Sequence, residues 1–470
     1  MTGGEWAITG TATITVLQWA LIPRLLAQRC KSPNATLAWL WALLLFPAVG
    51  AALYLLIGSE RVFRRRLALT KALDSRLDEG HLGIRHGPPP VMLDMPELAK
   101  VNGFPPTEGN SVSLLPDGTS FFPVFLDVID AAQDHLHLEF YIWRADRAGI
   151  MVRDALVRAA QRGVKVRVLV DEMGSLWLRR RFFAPLIAAG GEFSWFLTFS
   201  PSRGRFHLNL RNHRKLVIAD GTTALTGGMN VGREYWGGAD ALPYRDLGIR
   251  LHGPVVTQLA EVFAQDWYFS TGEALTAPEC YPEATSTGVV AAQVVPGAPD
   301  NEVDEIQLTT LALIHRAKER IRLMTPYFVP EPPLLAALQL AAMRGVDVAL
   351  LVPEKCDHFY LTHVMRSYYA DLLPHGVRIY EYQPRMLHAK VLTVDGLYTS
   401  TGSANLDIRS LRINFELNVL VACRDLTKDV DRLFTGNAGE AREVTLDAYE
   451  RRPFRHKMAE AIFRPAAPLL

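Results

Sequence analysis

His213-Arg-Lys-Leu-Val-Ile-Ala-Asp220 and His388-Ala-Lys-Val-Leu-Thr-Val-Asp395 place histidine, lysine and aspartate at identical internal spacing. In each copy the apolar run, Leu216 to Ala219 or Val391 to Val394, reads as a buried strand. Side chains alternate across a strand, so a histidine and a lysine two apart share one side. The chain then turns through Gly227-Gly-Met-Asn230 in one copy and Gly402-Ser-Ala-Asn405 in the other. Asparagine thus follows histidine by 17 residues both times (230 − 213 and 405 − 388). An imidazole, an ammonium and a carboxamide so spaced suit a phosphoryl group: a nucleophile or acid, a point charge, and neutral donors for the non-bridging oxygens.

The repeat extends outward from the motifs. Ala159-Ala-Gln-Arg-Gly163-Val-Lys-Val-Arg-Val-Leu-Val170 aligns with Ala341-Ala-Met-Arg-Gly345-Val-Asp-Val-Ala-Leu-Leu-Val352 at an offset of 182 (345 − 163). Each reads as a helix ending at glycine, then a strand. Residues 129–138 match 314–323 at an offset of 185, and the motifs lie 175 apart (388 − 213), so the second copy has shorter loops. Alternating helix and strand patterns predict two α/β domains, residues 112–285 and 286–470, with mostly parallel sheets. One motif from each would meet at the interface, about a pseudo-twofold axis.

The two motifs, with Asn-Leu-Arg-Asn-His-Arg-Lys around His213, Thr325-Pro-Tyr-Phe-Val-Pro, and Ala404-Asn-Leu-Asp-Ile-Arg-Ser-Leu-Arg-Ile-Asn-Phe-Glu416, resemble the phospholipase D superfamily. Within it the chain is similar to the bacterial cardiolipin synthases, over nearly its whole length. Two full motifs at matched spacing outweigh the bland alternative of two strand-end histidines in a core. The resemblance implies phosphatidyl transfer from one phosphatidylglycerol to another, giving cardiolipin and glycerol, with no cofactor. By analogy His213 is the nucleophile and His388 the acid and base, an order that the sequence alone leaves open. The runner-up reading is phospholipase D hydrolysis, with water as acceptor. A superfamily nuclease and a catalytically silent membrane scaffold rank below both.

A histidine in either role needs its second nitrogen fixed by an acceptor. Asp246 and Glu416, related by an offset of 170 (416 − 246), each begin an alternating strand-like run. The family resemblance pairs each acid with the histidine of its own half. Lys215 and Lys390 supply positive charge at the phosphate, so no metal is expected there. Asn230, Asn405 and Ser403 are candidate phosphate donors. Gly228 stands where the second copy has Ser403, which makes the halves chemically unequal. Asp220 and Asp395 lie at strand-end turns and lean towards turn hydrogen bonds over substrate contact.

A net charge of +1 and a pI near 7.8 argue against a duplex nucleic-acid partner. Cys30, Cys280, Cys356 and Cys423 show no CxxC or zinc spacing and read as reduced. Residues 35–57 form an uncharged run long enough to cross a hydrocarbon core, which takes about 20 helical residues. Residues 6–23 are marginal, and Glu5 with no basic residue before Arg24 argues against a signal peptide. Together they predict a transmembrane hairpin within residues 1–60, and a lipid bilayer as partner. Arg24, Arg29 and Lys31 lie in its loop, against Arg61, Arg64, Arg65, Arg66 and Lys71 after it. The denser cluster places the catalytic domains on the cytoplasmic side of the bacterial inner membrane. Residues 61–111 read as a basic flank and a Pro/Gly-rich linker.

Basic segments with interleaved aromatics, 177–183 and 200–206, suit an anionic lipid surface or a solvated face equally. Arg409 and Arg412 could hold a second phosphate or neutralise carboxylates. Tyr327, Tyr368 and Tyr369 read more readily as core than as an acyl path. Residues 451–470 form an amphipathic tail expected to dock on the body.

Overall fold

The computed structural model describes residues 21–23, 25–26, 33–46, 48–51, 54, 60–79, 95, 98, 101 and 103–469, except 199–209, 238–241, 284 and 302. The chain divides into two compact units, Met1–Arg65 with Thr198–Leu210, and Arg66–Leu197 with Arg211–Leu470.

In the first unit, Leu21, Leu25, Leu43, Ala51 and Tyr54 form a small apolar cluster. Within the expected span 35–57 the structure describes the helix Pro33–Leu45, 13 residues long, and further helical residues at 48–51 and 54. The chain bends at Phe46, beside a proline in sequence, which cannot donate to a helical ladder. Among the described residues no helix is long and apolar enough to cross a membrane, so they do not support the expected hairpin. The other expected span, 6–23, lies outside the described residues apart from 21–23.

The second unit is built on strands in two repeated sets. The first set is β1 (Thr107–Leu115), β2 (His135–Phe140), β3 (Lys165–Asp171), β4 (Glu192–Phe196), β5 (Lys215–Ala219), β6 (Thr223–Gly227) and β7 (Gly248–His252). The second is β8 (Val290–Gly297), β9 (Arg320–Met324), β10 (Phe328–Val329), β11 (Asp347–Pro353), β12 (Arg378–Tyr382), β13 (Val391–Val394), β14 (Tyr398–Gly402), β15 (Leu406–Asp407), β16 (Glu416–Ala422) and β17 (Ala441–Val444). All but β10 and β15 join one sheet of 15 strands, ordered β17-β12-β11-β9-β13-β14-β16-β8-β1-β7-β6-β5-β2-β3-β4. The halves meet where β1 pairs antiparallel with β8 through Thr107–Ala292 and Asn110–Val290. Both halves lie in one compact unit, and β1 begins within the stretch expected as linker.

The expectation of mostly parallel sheets is corrected. Within this sheet only β2-β3-β4 and β9-β11-β12 run parallel. Those strands are joined by crossovers, such as the helices Arg147–Gln161 and Pro332–Met343, as parallel pairing requires. The motif strands instead form hairpins, β5 with β6 and β13 with β14. Their turns carry Asp-Gly with positive φ at both residues, +51° and +61° at Asp220 and Gly221, and +52° and +63° at Asp395 and Gly396. Asp-Gly is the pair such a tight hairpin favours.

Each half has its own core. In the first, Phe121, Phe122 and Phe125 of the helix Gly118–Ala131 pack with Leu136, Leu138, Val166 and Val168. In the second, Leu313 and Ile314 pack with Leu323, Leu350 and Val352. Each such side chain contributes about 1.5–3 kcal/mol on burial. The Asp117 side chain caps the first of these helices, accepting from the Thr119 and Ser120 amides. The C-terminal helix Phe454–Phe463 docks on the body, with Phe463 edge-on to Phe359 and stacked on His363.

Candidate active site

Lys215 opens β5 opposite Phe140, the last residue of β2, and Val391 opens β13 opposite Met324, the last residue of β9. Each motif therefore emerges where the parallel strands of its own half end. The motif aspartates lie at the other end of the hairpins. Asp220 accepts the amides of Gln133, Asp134 and His135. Asp395 accepts those of Lys318, Glu319 and Arg320. Each holds its turn to the start of the neighbouring strand.

The acids meet the histidines crosswise. His213 Nδ1 lies 3.0 Å from Glu416 Oε2, and His388 Nδ1 lies 2.7 Å from Asp246 Oδ2. The pairing within each half, expected from the resemblance, is corrected by these contacts. The cause is in the backbone. The amide of His213 donates to the Phe415 carbonyl at 2.8 Å, and that of His388 to the Arg245 carbonyl at 2.7 Å. Each histidine is thus stitched to the residue just before the other half's acid.

A carboxylate on Nδ1 holds the proton there and leaves Nε2 facing the site. Burial pushes His213 down to about 4, with Lys215 and Lys390 acting in the same direction against Glu416. Burial also lowers His388, helped by Lys390. Both imidazoles are neutral near pH 7. Lys215 and Lys390 are buried, and each Nζ donates to the carbonyl of its own motif histidine at 2.5 Å. Burial depresses Lys215 well below the usual lysine range and Lys390 to about 8. A bound phosphodiester would restore both charges.

The halves differ around their acids. Ser403 donates to Glu416 Oε2, and its oxygen accepts the Leu417 amide at 2.9 Å. Its hydroxyl is therefore committed to Glu416 rather than free for phosphate. Asn414 supplies a further donor to Glu416 at 3.1 Å. Against the upward push of burial, His213, Lys215 and Ser403 hold the Glu416 carboxyl below its usual range. At Gly228 a Cβ would sit 2.2 Å from Asp246 Oδ1. The shorter acid fills the space that the serine occupies in the other half.

Asn230 accepts the Ile142 amide at 3.0 Å and donates to the Tyr235 hydroxyl at 2.9 Å. One amide hydrogen remains for a ligand. Asn405 is buried, and its Oδ1 has no hydrogen-bond partner among the described residues. Sequence reasoning missed the aromatic walls. Tyr141 stands edge-on to His213 at 4.8 Å, while Tyr235 and Tyr244 lie 5.3 and 5.9 Å from His388. It also missed Asp171, which burial raises to about 6 and which fixes the Asn212 amide beside His213 at 2.9 Å. No motif marks any of these; Tyr141 and Asp171 sit at strand ends, whereas Tyr235 lies in the helix Arg233–Trp236 and Tyr244 before β7.

Arg412 is paired with Glu331 at 2.6 Å, so it neutralises carboxylates. Tyr368 and Tyr369 belong to the second core, and Tyr327 donates to Asp357 at 2.7 Å. Residues 200–206 lie outside the described residues. Among the described residues, His135, His137 and Cys280 form a buried group with ligand atoms within 4.8 Å of one another. It lies at the end of β2 away from Lys215 and has no part in the site.

The comparisons with known proteins agree with this geometry. A family model described as cardiolipin synthase, PLD-like domain, matches residues 125–267 and 310–437. A second, described as phospholipase D-nuclease N-terminal, matches residues 13–59. The chain is 37% identical over 457 residues to the major cardiolipin synthase of Bacillus subtilis, covering 93% of this chain and 94% of that protein. It is 34% identical over 461 residues to a cardiolipin synthase of Geobacillus thermodenitrificans, covering 94% and 90% respectively. A phosphatidylserine synthase structure from Haemophilus influenzae shares the fold, with TM-score 0.60 at 15% identity over 76% of this chain and 93% of that one. Two motifs, two crossed His–carboxylate pairs and these full-length relatives lead to one conclusion: the chain belongs to the cardiolipin synthase family and is a phosphatidyltransferase of the phospholipase D superfamily.

Proposed function

We propose that the enzyme moves a phosphatidyl group from one phosphatidylglycerol to the hydroxyl of a second, releasing glycerol and forming cardiolipin. The observation that carries this reading is the pair of neutral imidazoles, each with Nδ1 held by a carboxylate and each beside a buried lysine. In the first step His213 Nε2 forms a bond to phosphorus as the bond to the glycerol oxygen breaks. His388, protonated on Nε2 once the phosphate anion is bound, gives that proton to the leaving glycerol. In the second step His388 takes the proton from the acceptor hydroxyl, whose oxygen bonds to phosphorus as the P–N bond breaks. Lys215, Lys390 and the amides of Asn230 and Asn405 stabilise the equatorial oxygens. Ser403 is assigned as a positioning residue for Glu416.

The N-terminal region, matched by its own family model at residues 13–59, anchors the enzyme in the bacterial inner membrane. Arg61, Arg64, Arg65 and Lys71 support a cytoplasmic catalytic unit. Incubating the purified enzyme with phosphatidylglycerol labelled in its headgroup glycerol tests the reaction. Cardiolipin and free labelled glycerol in equal amounts are expected. Phosphatidic acid as the main product would make the enzyme a hydrolase.

A further inference from the structure

Two segments, each following a strand that ends beside its own half's motif, are related by the repeat. After β3 the chain exposes Trp177, 84% accessible, and after β11 it exposes Phe359, 71% accessible. They lie 182 positions apart (359 − 177), the same offset that relates β3 to β11. Each loop is tied to the wall of its own half's site. Ser175, two residues before Trp177, donates to the Tyr141 carbonyl at 3.1 Å, and the Tyr141 ring stands against His213. Asp357, two residues before Phe359, accepts from Tyr327 and adds to the field at Lys390. A third large apolar side chain, Leu242, is 71% accessible and lies two residues before Tyr244, whose ring stacks on His388.

A single exposed apolar side chain is ordinary. These three stand out by position: Ser175 and Asp357, two residues before Trp177 and Phe359, bond Tyr141 and Tyr327, and Tyr244, two residues after Leu242, stacks on His388. The catalytic side chains themselves are only 12% and 9% accessible. Charge follows the apolar groups. Arg179, Arg180 and Arg181 are exposed just after Trp177. Phe359 touches Phe463, whose helix exposes Phe454, Met458 and Ile462 with Arg455 and Lys457 among them. Apolar groups with neighbouring cations match the boundary between acyl chains and anionic headgroups.

We propose that Trp177, Leu242 and Phe359 form an apolar rim around the mouth of the site, which inserts into an anionic phospholipid bilayer and lets the substrate phosphate reach the histidines. This rests on the phosphatidylglycerol reading above. Val289 is the internal control: it is 87% accessible but lies at the far end of β8, whose other end, Gly297, pairs with Glu416.

The full chain is assayed on short-chain phosphatidylglycerol below its micelle concentration and, in parallel, after reconstitution into vesicles of long-chain phosphatidylglycerol. Trp177→Gln, Leu242→Gln and Phe359→Gln combined should lower the vesicle rate at least tenfold and leave the monomer rate within twofold. Val289→Gln should change neither. An unchanged vesicle rate, or equal loss on both substrates, overturns the rim. A second readout needs no turnover: acyl-brominated phospholipid in the vesicles should quench less tryptophan emission in Trp177→Gln than in the parent. Equal quenching also overturns it. A parent enzyme that makes no cardiolipin from either substrate, yet shows the quenching difference, would instead refute the proposed reaction.

Discussion

His388 Nδ1 lies 2.7 Å from Asp246 Oδ2, although the two residues come from opposite halves of the repeat. With His213 on Glu416 the exchange is reciprocal, so neither half holds a working imidazole alone. In the proposed mechanism Asp246 would then serve the acid, His388, and Glu416 the nucleophile, His213. Asp246→Asn should slow turnover on phosphatidylglycerol by about 10²–10⁴-fold, yet far less on a phosphodiester with a p-nitrophenol leaving group that needs no proton. Glu416→Gln should be equally slow on both. Steady-state rates on the two substrates decide it, and the reverse pattern would reverse the roles.

The covalent intermediate gives an independent check. His213→Ala should abolish turnover and any phosphatidyl-enzyme. His388→Ala should still allow the adduct to be trapped on His213 and found by peptide mass spectrometry. Because the pair acts as a unit, the double variant should be little worse than either single one.

Acidity sets the pH profile. With His213 lowered to about 4, the nucleophile becomes available as pH rises through that value. With Lys390 lowered to about 8, its charge is lost as pH rises through that value. The free enzyme's kcat/KM should therefore rise near pH 4, decline once pH passes the lowered range of His388, which must take up the proton that it gives to glycerol, and fall further near pH 8. Bound phosphate favours the ammonium, so the alkaline fall of kcat should lie higher than that of kcat/KM. A kcat/KM profile level to pH 10 would remove Lys390 from the argument.

Gly228 and Ser403 occupy equivalent positions with opposite demands. Gly228→Ser would press a Cβ to 2.2 Å from Asp246 Oδ1, so the carboxylate must move and activity should fall at least a hundredfold. Ser403→Ala removes one donor to Glu416 and should cost about tenfold, in keeping with about 1.5–3 kcal/mol for a hydrogen bond to a charged group. A mild effect of Gly228→Ser, with Asp246 still paired in its crystal structure, would refute the steric account.

Arg66, counted in the sequence as a membrane-flanking charge, is instead buried against Asp300 at 2.8 Å and Asp266 at 3.2 Å. Asp266 also pairs with Arg214, whose Nε donates to the Glu416 carbonyl at 3.0 Å. Arg66→Ala should destabilise the fold by about 3–5 kcal/mol, because it leaves Asp300 buried without its partner and Asp266 with Arg214 alone. A chain beginning near Arg61 should keep activity on micellar lipid, whereas one beginning after Arg66 should melt lower and lose it. Equal thermal midpoints for the two truncations would count against the buried network.

Sequence alone determined the parts that are local and repeated. The two motifs name the chemistry, because histidine and lysine on alternate strand positions must face one side. Asp220-Gly221 and Asp395-Gly396 fix the hairpins, because few residue pairs accept positive φ twice in succession. Offsets of 182 and 185 carry the two-part α/β plan. Tertiary structure alone decided which acid meets which histidine. A pseudo-twofold repeat makes Asp246 and Glu416 equivalent in sequence, and the choice falls to backbone hydrogen bonds between residues far apart in the chain, His213 to Phe415 (415 − 213 = 202) and His388 to Arg245 (388 − 245 = 143). The same holds for Ser403, whose proton goes to Glu416, and for Arg66, whose partners lie 200 and 234 positions away. Contacts of this kind leave no periodicity to read, because only the folded sheet brings the partners together.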